Sequence, residues 1–462
     1  MEFFLAIFFL CFYYIRPQDW FPGLEGVNVV QPIIGIWLIA LMLFRSRPSP
    51  LPGLLRTPHD WVMLVYLLYI VVFAGASPMA AIPMFSFYFL TVQSLNTWPR
   101  LLKYLKAWTW ALVVVASFGV AFVFGIDITG ADELFVNTLG RLAIGTWIHN
   151  NPNSLGHSVV VIIPLAYMLF FWKGTSNSRL MLYPIMALLS FYCAWETQSK
   201  GSYVVGGILC LLIITIGKPK KVQIFVVALA FIAGGSALSF LPRMAEMNDL
   251  RADEGVQGRL LAWEQAREAS KKGPLGAGWN QFIAYIPWQE GNRTEIVEKA
   301  THSSYVQVAA DLGWLGLTIY LAALWSVGRL VIHGQFEGVT RERTRRALIV
   351  LLLSTVLSGW MINREYHTEY FLMIAVAGSM SRLLRKDQED LASQASPETM
   401  ADRKGRDFPE VEGDGYSVAA RRSEVVGNQA FVWKRFSFRD GAVSVFLTFA
   451  TFWFWDYLMK NI

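Results

Sequence analysis

The sequence predicts an all-α integral membrane protein of about 12–13 transmembrane helices, with a long non-cytoplasmic loop that contains a short amphipathic helix. Three observations predict it. Of 462 residues, 54% are hydrophobic and only 16% charged, whereas roughly 25% charge is usual in soluble domains. The mean hydropathy is +0.40. Long uncharged apolar runs recur along almost the whole chain. Together these exclude a soluble multi-domain enzyme and a largely disordered polypeptide. The net charge of +6 needs no nucleic-acid partner, because membrane proteins keep an excess of Lys and Arg on their cytoplasmic side. Cys11, Cys193 and Cys210 lie in apolar stretches without metal-ligand spacing and read as packing residues.

Taken in order, residues 1–15 have the apolar body of a signal peptide but neither its basic start nor its cleavage site, so they are expected to remain as the first span. Further spans are expected near 29–44, 61–74, 79–95, 107–126, 154–172, 180–197, 202–216, 222–241, 303–332, 347–362, 368–384 and 441–459. With the N-terminus inside, the cytoplasmic connections carry Arg45, Arg47 and Arg56, then Arg100, Lys103 and Lys106, then Lys173 and Arg179, then Lys218, Lys220 and Lys221, and finally Arg341 to Arg346. This asymmetry orients the chain and puts segments 16–28, 127–153 and 242–302 on the outer face. The expected organisation is a polytopic membrane domain over 1–386, a flexible cytoplasmic segment over 387–440 and a C-terminal transmembrane helix over 441–462.

Three polar intrusions meet the outer boundary. The first follows an amphipathic helix expected from Val256 to Lys272, with Leu260, Trp263 and Ala266 at helical spacing and Arg259 in its first turn. A Gly-Pro and Gly-x-Gly loop ends that helix, and Thr301 or a neighbouring Ser caps the next span, leaving His302 at its N-terminal end. The macrodipole and nearby arginines should depress the His302 pKa, so that a neutral imidazole is available as a base. A plain interfacial role fits the same position. The second intrusion is the run Glu196 to Ser202, where Lys200 faces protein, water or an anion, or else pairs with Glu196 four residues away on one helix face. The third is the stretch from His149 to Leu165, in which Asn150, Asn151 and Asn153 surround Pro152. Its amides suit hydroxyl-rich or phosphate ligands, and equally suit turn and cap chemistry. Arg259, Lys200 and His302 together suit an anionic substrate from which a diphosphate departs: the cations stabilise the leaving group and the imidazole deprotonates an incoming hydroxyl.

These residues resemble a known family. The Arg259-x-x-x-Trp263 helix, the Pro274-Leu275-Gly276-x-Gly278 loop, His302-Ser303-x-Tyr305 and Gly313 to Leu317 are similar to the signature region of the O-antigen ligase and polymerase superfamily. Ser199 to Tyr203 resembles its Ser-Arg-Gly-type segment, and Asn151-Pro152-Asn153 its Asn-Pro-Asn stretch, so that the likeness covers about residues 140–380. Arg16 to Trp20 looks like the outer turn of exopolysaccharide-associated members. The resemblance implies a GT-C-like, metal-independent glycosyltransferase of the bacterial inner membrane, without cofactor, with its active site facing the periplasm. Its donor would be a glycan on undecaprenyl diphosphate, and its acceptor a hydroxyl of glycan, lipid or protein. It further implies His302 as the base, Arg259 as a holder of the diphosphate, and Lys200 in place of a family arginine, with the charge kept and the bidentate fork lost. Asn150, Asn153, Tyr305 and Arg364 complete the candidate substrate-binding set.

Other signals carry less. Glu365, His367 and Glu369 are spaced two apart and so fall on different helix faces, which favours a polar outer turn over a metal cluster. Gly273 to Trp279 lacks the Gly-Lys-Ser/Thr of a P-loop, and Asn292-Arg293-Thr294 is a common sequon. Within the superfamily a ligase and a polymerase use the same residues and differ in acceptor, with polysaccharide-assembly proteins as candidate partners of either. An anion transporter is the non-enzymatic alternative, and it would place its decisive charges near the bilayer midplane.

Overall fold

Each apolar run expected to span the membrane coincides with a helix in the computed structural model, which describes residues 1–43, 55–132, 140–238, 254–271, 273–290, 293–394 and 435–461. The helices are α1 Glu2–Ile15, α2 Val30–Leu43, α3 Pro58–Val72, α4 Pro78–Ser94, α5 Trp98–Val123, α6 Pro152–Phe171, α7 Ser178–Thr197, α8 Lys200–Thr215 and α9 Lys220–Leu238. After them come α10 Glu254–Lys271, α11 Ser304–His333, α12 Val339–Ser358, α13 Thr368–Gln394 and α14 Phe438–Asn461. Among the described residues α5, α6, α7, α11 and α14 are long and apolar enough to cross a membrane alone, and α2, α3 and α8 are shorter apolar helices. The protein is thus an all-α, multi-pass membrane protein.

Starts and stops follow local chemistry. Thr57 caps α3 in a reciprocal box with Asp60, Ser77 caps α4 and Thr97 caps α5, each with Pro in the first helical turn. Large aromatics fill the interior: Trp37, Trp108, Tyr66, Tyr88, Tyr104, Phe85 and Phe371 are fully buried.

One end of the bundle gathers the basic connections. Arg343 donates to the carbonyls of Trp172 and Lys173, Arg346 lies over the Trp172 ring, and Arg341 pairs with Asp387 at 2.9 Å. Asp387 also accepts from Trp98 Nε1 at 2.9 Å, and α13 continues to Gln394. The expected flexible segment therefore does not begin at Asp387, because that carboxylate is tied into the bundle. Of the rest of that segment, 395–434 lies outside the described residues and 435–440 leads into α14.

The last helix runs antiparallel along α11. Asp440 pairs with Arg329 near the C-terminal end of α11, and Thr448 meets Thr318 at 2.9 Å. Near its far end Asp456 holds Arg267 of α10 through two hydrogen bonds of 2.8 and 3.0 Å. It thus spans the length of its neighbour.

The segment between α9 and α11 departs from the all-helical expectation. The amphipathic helix is present as α10, but β1 Ala284–Glu290 and β2 Arg293–Lys299 follow it as an antiparallel hairpin in the register Ala284↔Lys299 to Glu290↔Arg293. The charged residues of β2 leave little alternation in its sequence, which is why the strand carries a weak signal.

The Gly276 and Gly313 backbones explain the chain's Gly-rich signature. Both have φ +66°, and Gly313 interrupts the α-helical course of α11. The 274–278 loop docks into that break: Ala277 N donates to Ala310 O at 2.9 Å and Gly278 N to Asp311 O at 2.7 Å. A Cβ on Gly276 would lie 2.6 Å from Ala310 O, far inside contact distance, and φ +66° disfavours any side chain there. Tyr69 completes the joint by donating to Leu312 O at 2.6 Å. These glycines hold α10 and the hairpin over the entry of α11.

Candidate functional site

The entry of α11 is built as a stitched loop. Ser303 caps the helix by accepting from Val306 N, and its hydroxyl donates to Gly359 O at 3.1 Å. Ser304 N donates to the same carbonyl at 2.7 Å, while Ser304 Oγ donates to Ile362 O and accepts from Arg364 N, both at 2.9 Å. Immediately before this cap stands His302, with left-handed backbone at φ 52°. Trp263 of α10 donates from Nε1 to Thr301 O at 2.7 Å and so pins α10 to the loop. Arg259 lies one turn earlier on the same face of α10, within electrostatic reach of His302. Burial, then the positive charges of Arg259 and Lys299, lowers the His302 pKa to about 4. The imidazole is therefore neutral at neutral pH.

Next to this loop, α6 begins under an Asn cap. Asn151 accepts from Ser154 N at 2.9 Å, with Pro152 in the first turn, which is the cap alternative left open for this stretch. Asn153 Oδ1 accepts from Arg141 at 3.1 Å, and Arg141 also donates to Thr197 O at 3.2 Å. Asn150 is exposed and accepts from Asn151 Nδ2 at 3.3 Å. The α7–α8 break lies alongside. Gln198, at φ 48°, ends α7, and Ser199 caps α8, of which Lys200 is the first residue. Glu196 and Lys200 therefore belong to different helices, so the alternative that placed them on one helix face does not hold at this turn. Gly156 of α6 packs closely against this turn: a Cβ there would sit 2.7 Å from Ser202 Oγ and 2.9 Å from Thr197 Oγ1.

Two further side chains join the site from α6 and from the connection between α12 and α13. His157 is 2% exposed, with Nδ1 2.8 Å from Ser358 Oγ. Arg364 donates to Ser154 O at 2.6 Å, to Ser158 Oγ at 2.7 Å and to Glu369 at 2.9 Å, binding this connection to α6. Arg364 lines a cavity of about 50 Å³. Tyr14, Trp108, His157, Ser158, Tyr320 and Glu369 are among its walls.

The acidic run near Arg364 separates. Glu369 pairs with Arg364 and accepts from Tyr14 at 3.0 Å, and His367 stacks on Trp147 with ring centres 4.9 Å apart. Glu365 is turned inward, and its pKa is raised to about 8 by burial, with the Asp311 carboxylate acting in the same direction. Among the described residues no three His, Cys, Asp or Glu side chains gather as a metal site. The Arg16–Trp20 turn docks nearby: Asp19 binds Arg16 and accepts from Trp147 N at 2.6 Å, and Arg16 lies over the Trp147 ring.

The structure thus brings His302 and Arg259 together, and sets Arg364 on the adjoining connection. Lys200 and Asn153 lie on the turn and cap that border His157, Asn150 points outward, and Tyr305 is buried in the bundle with its hydroxyl committed to Val356 O at 2.8 Å. Sequence reasoning missed His157, Ser358 and Arg141. An ionisable residue inside an apolar span was the available signal for His157; Ser358 and Arg141 carry none, since their relevance depends on packing between distant segments.

No curated protein matches the chain. Residues 185–321 match a family model described as O-Antigen ligase, a segment that runs from α7 into α11 and contains Lys200, Arg259 and His302. This match to under a third of the chain supports the resemblance of this multi-pass membrane protein to the O-antigen ligase and polymerase superfamily.

Proposed function

We propose that the protein transfers a glycan from undecaprenyl diphosphate to a hydroxyl acceptor at the periplasmic face of the inner membrane, as an O-antigen ligase does. The observation that carries this reading is the placement of Arg259 beside His302, held by the Trp263–Thr301 hydrogen bond of 2.7 Å. The acceptor oxygen attacks the anomeric carbon, the bond from that carbon to the diphosphate oxygen breaks, and the electron pair leaves with undecaprenyl diphosphate. His302 accepts the acceptor's proton. Diphosphate is a good leaving group, so Arg259 and Lys200 supply charge stabilisation where a general acid is otherwise needed. Lys200 offers a point charge rather than a bidentate fork. Arg364 and Asn153 border the substrate, and no cofactor is required. A polymerase that joins lipid-linked repeats would use the same residues.

The test is a glycan profile of a deletion strain carrying wild type, His302→Ala or Arg259→Ala at matched protein levels. Long undecaprenyl-linked chains accumulating while acceptor-linked glycan disappears supports ligation. Accumulation of single repeat units assigns polymerisation instead, and unchanged profiles in both variants overturn the catalytic reading and favour anion transport.

A further inference from the structure

The mechanism above leaves His157 without a task, and its hydrogen bonding differs from that of its neighbour His149. His149, three residues before the α6 start, has both ring nitrogens occupied, Nδ1 by Thr146 Oγ1 at 3.3 Å and Nε2 by Ser158 Oγ at 3.2 Å. His157 is almost as deeply buried, yet among the described residues only Nδ1 has a hydrogen-bond partner, Ser358 Oγ. A ring with one nitrogen bonded inside the protein and the other without a protein partner among these residues leaves Nε2 available to a ligand atom or water.

The direction in which Nε2 points is fixed by helix packing. Gly156 lets α6 approach the start of α8. Nε2 then faces Gly201, at which an added Cβ would lie 3.1 Å away. The space beside Nε2 is thus bounded by backbone at the first turn of α8, where amide N–H groups lack intrahelical acceptors. Arg259 and Arg364 both act electrostatically on the same imidazole. The 2.8 Å contact between Nδ1 and Ser358 Oγ is compatible with the tautomer in which Ser358 donates to Nδ1 and the ring proton sits on Nε2, and the proposal takes that tautomer. A hydrogen-bond donor, a helix start and two guanidinium groups all favour an anionic oxygen ligand.

We propose that His157 is a donor-binding residue, whose Nε2–H hydrogen-bonds a diphosphate oxygen of the lipid-linked donor beside the Lys200–Gly201 turn. This rests on the transferase reading above and extends it: His302 serves the acceptor's proton, while His157 serves the leaving group. Gly201 is part of the same device, because its lack of a side chain keeps Nε2 open.

The experiment measures binding of undecaprenyl diphosphate to the purified full-length protein in detergent. Wild type is compared with His157→Asn, His157→Gln, Gly201→Ala, Arg259→Ala and His302→Ala. Asn retains a group near Nδ1 for Ser358 but has nothing at Nε2, whereas Gln places an amide near Nε2. The expected result is that His157→Asn and Gly201→Ala each weaken binding roughly tenfold or more, that His157→Gln recovers part of it, and that His302→Ala binds normally while losing turnover. If Arg259→Ala loses binding but His157→Asn and Gly201→Ala match wild type, the role of His157 is overturned and the donor reading stands. If Arg259→Ala also binds as wild type does, the donor reading itself fails. Should His157→Asn not fold, Gly201→Ala decides alone, since it leaves the His157–Ser358 bond in place.

Discussion

Two ion pairs at opposite ends of the bundle show how differently one protein handles buried charge. Away from the site, Arg382 of α13 meets Asp60 of α3 at 3.0 Å, with both side chains fully buried. Asp60 also accepts from Tyr88 and from the backbone of Arg56 and Thr57, so its lone pairs are filled by protein. At the site, Arg364 and Glu369 pair at 2.9 Å on a cavity wall, each side chain partly exposed. Nearby, Arg259 and Arg364 both act on His157, and both charges that act on His302, Arg259 and Lys299, are positive. The first pair closes a structure; the second borders a cationic site whose complement is an anion. What separates the two pairs is access: both side chains of the first are fully buried, while those of the second are partly exposed and line a cavity.

The comparison breaks if Arg382→Ala is tolerated. Removing one member of a fully buried pair leaves its partner uncompensated, at a cost of about 3–5 kcal/mol, so thermal unfolding of the purified variant should shift sharply downward and expression should fall. The double variant Arg382→Met, Asp60→Asn should recover much of that loss. At the other end His302→Ala should leave unfolding nearly unchanged and reduce transfer by roughly 10²–10⁴-fold, the usual contribution of a general base. A comparable loss of stability in both variants would erase the distinction between the two ends. A smaller effect is expected from Lys200→Arg: the bidentate fork should strengthen donor binding by a few-fold, read as a lower KM for the donor at similar kcat.

The helices were legible in the sequence because hydrophobic length is a local property, and so was the α10 helix with Arg259 and Trp263 on one face. The nearness of His302 and Arg259 was legible only as a shared boundary; it depends on Trp263 reaching Thr301, which no spacing rule encodes. The β-hairpin escaped because Pro287 and the charged residues of β2 weaken an already short alternation. The Glu196–Lys200 pairing failed as a helix-face argument because Gln198 adopts a left-handed conformation and ends α7 between them. Ser358 was invisible for a different reason: it lies near the end of an apolar span, 201 residues from the histidine it contacts.

The pH dependence sharpens the contrast further, because two groups at the site are shifted in opposite directions. For His302, lowered to about 4, the base form persists well into the acid range. The acidic limb of kcat/KM should therefore fall near pH 4 rather than near an ordinary imidazole value of about 6.5. The same shift makes the folded state bind fewer protons than the unfolded one, so this residue's contribution to stability declines as pH drops from about 6.5 to 4. Glu365, raised to about 8, does the reverse. Between its unfolded value of 4.5 and about 8 the folded state retains a proton that the unfolded state has lost, and stability falls as pH rises through that window. Glu365→Gln copies the protonated carboxyl without the titration. Its unfolding temperature should exceed that of wild type by a few degrees at neutral pH, with the difference vanishing toward pH 4. A variant that is equally less stable at both pH values would show that Glu365 is held ionised, and would move it from the inward, closed part of the loop to the cationic side of the comparison.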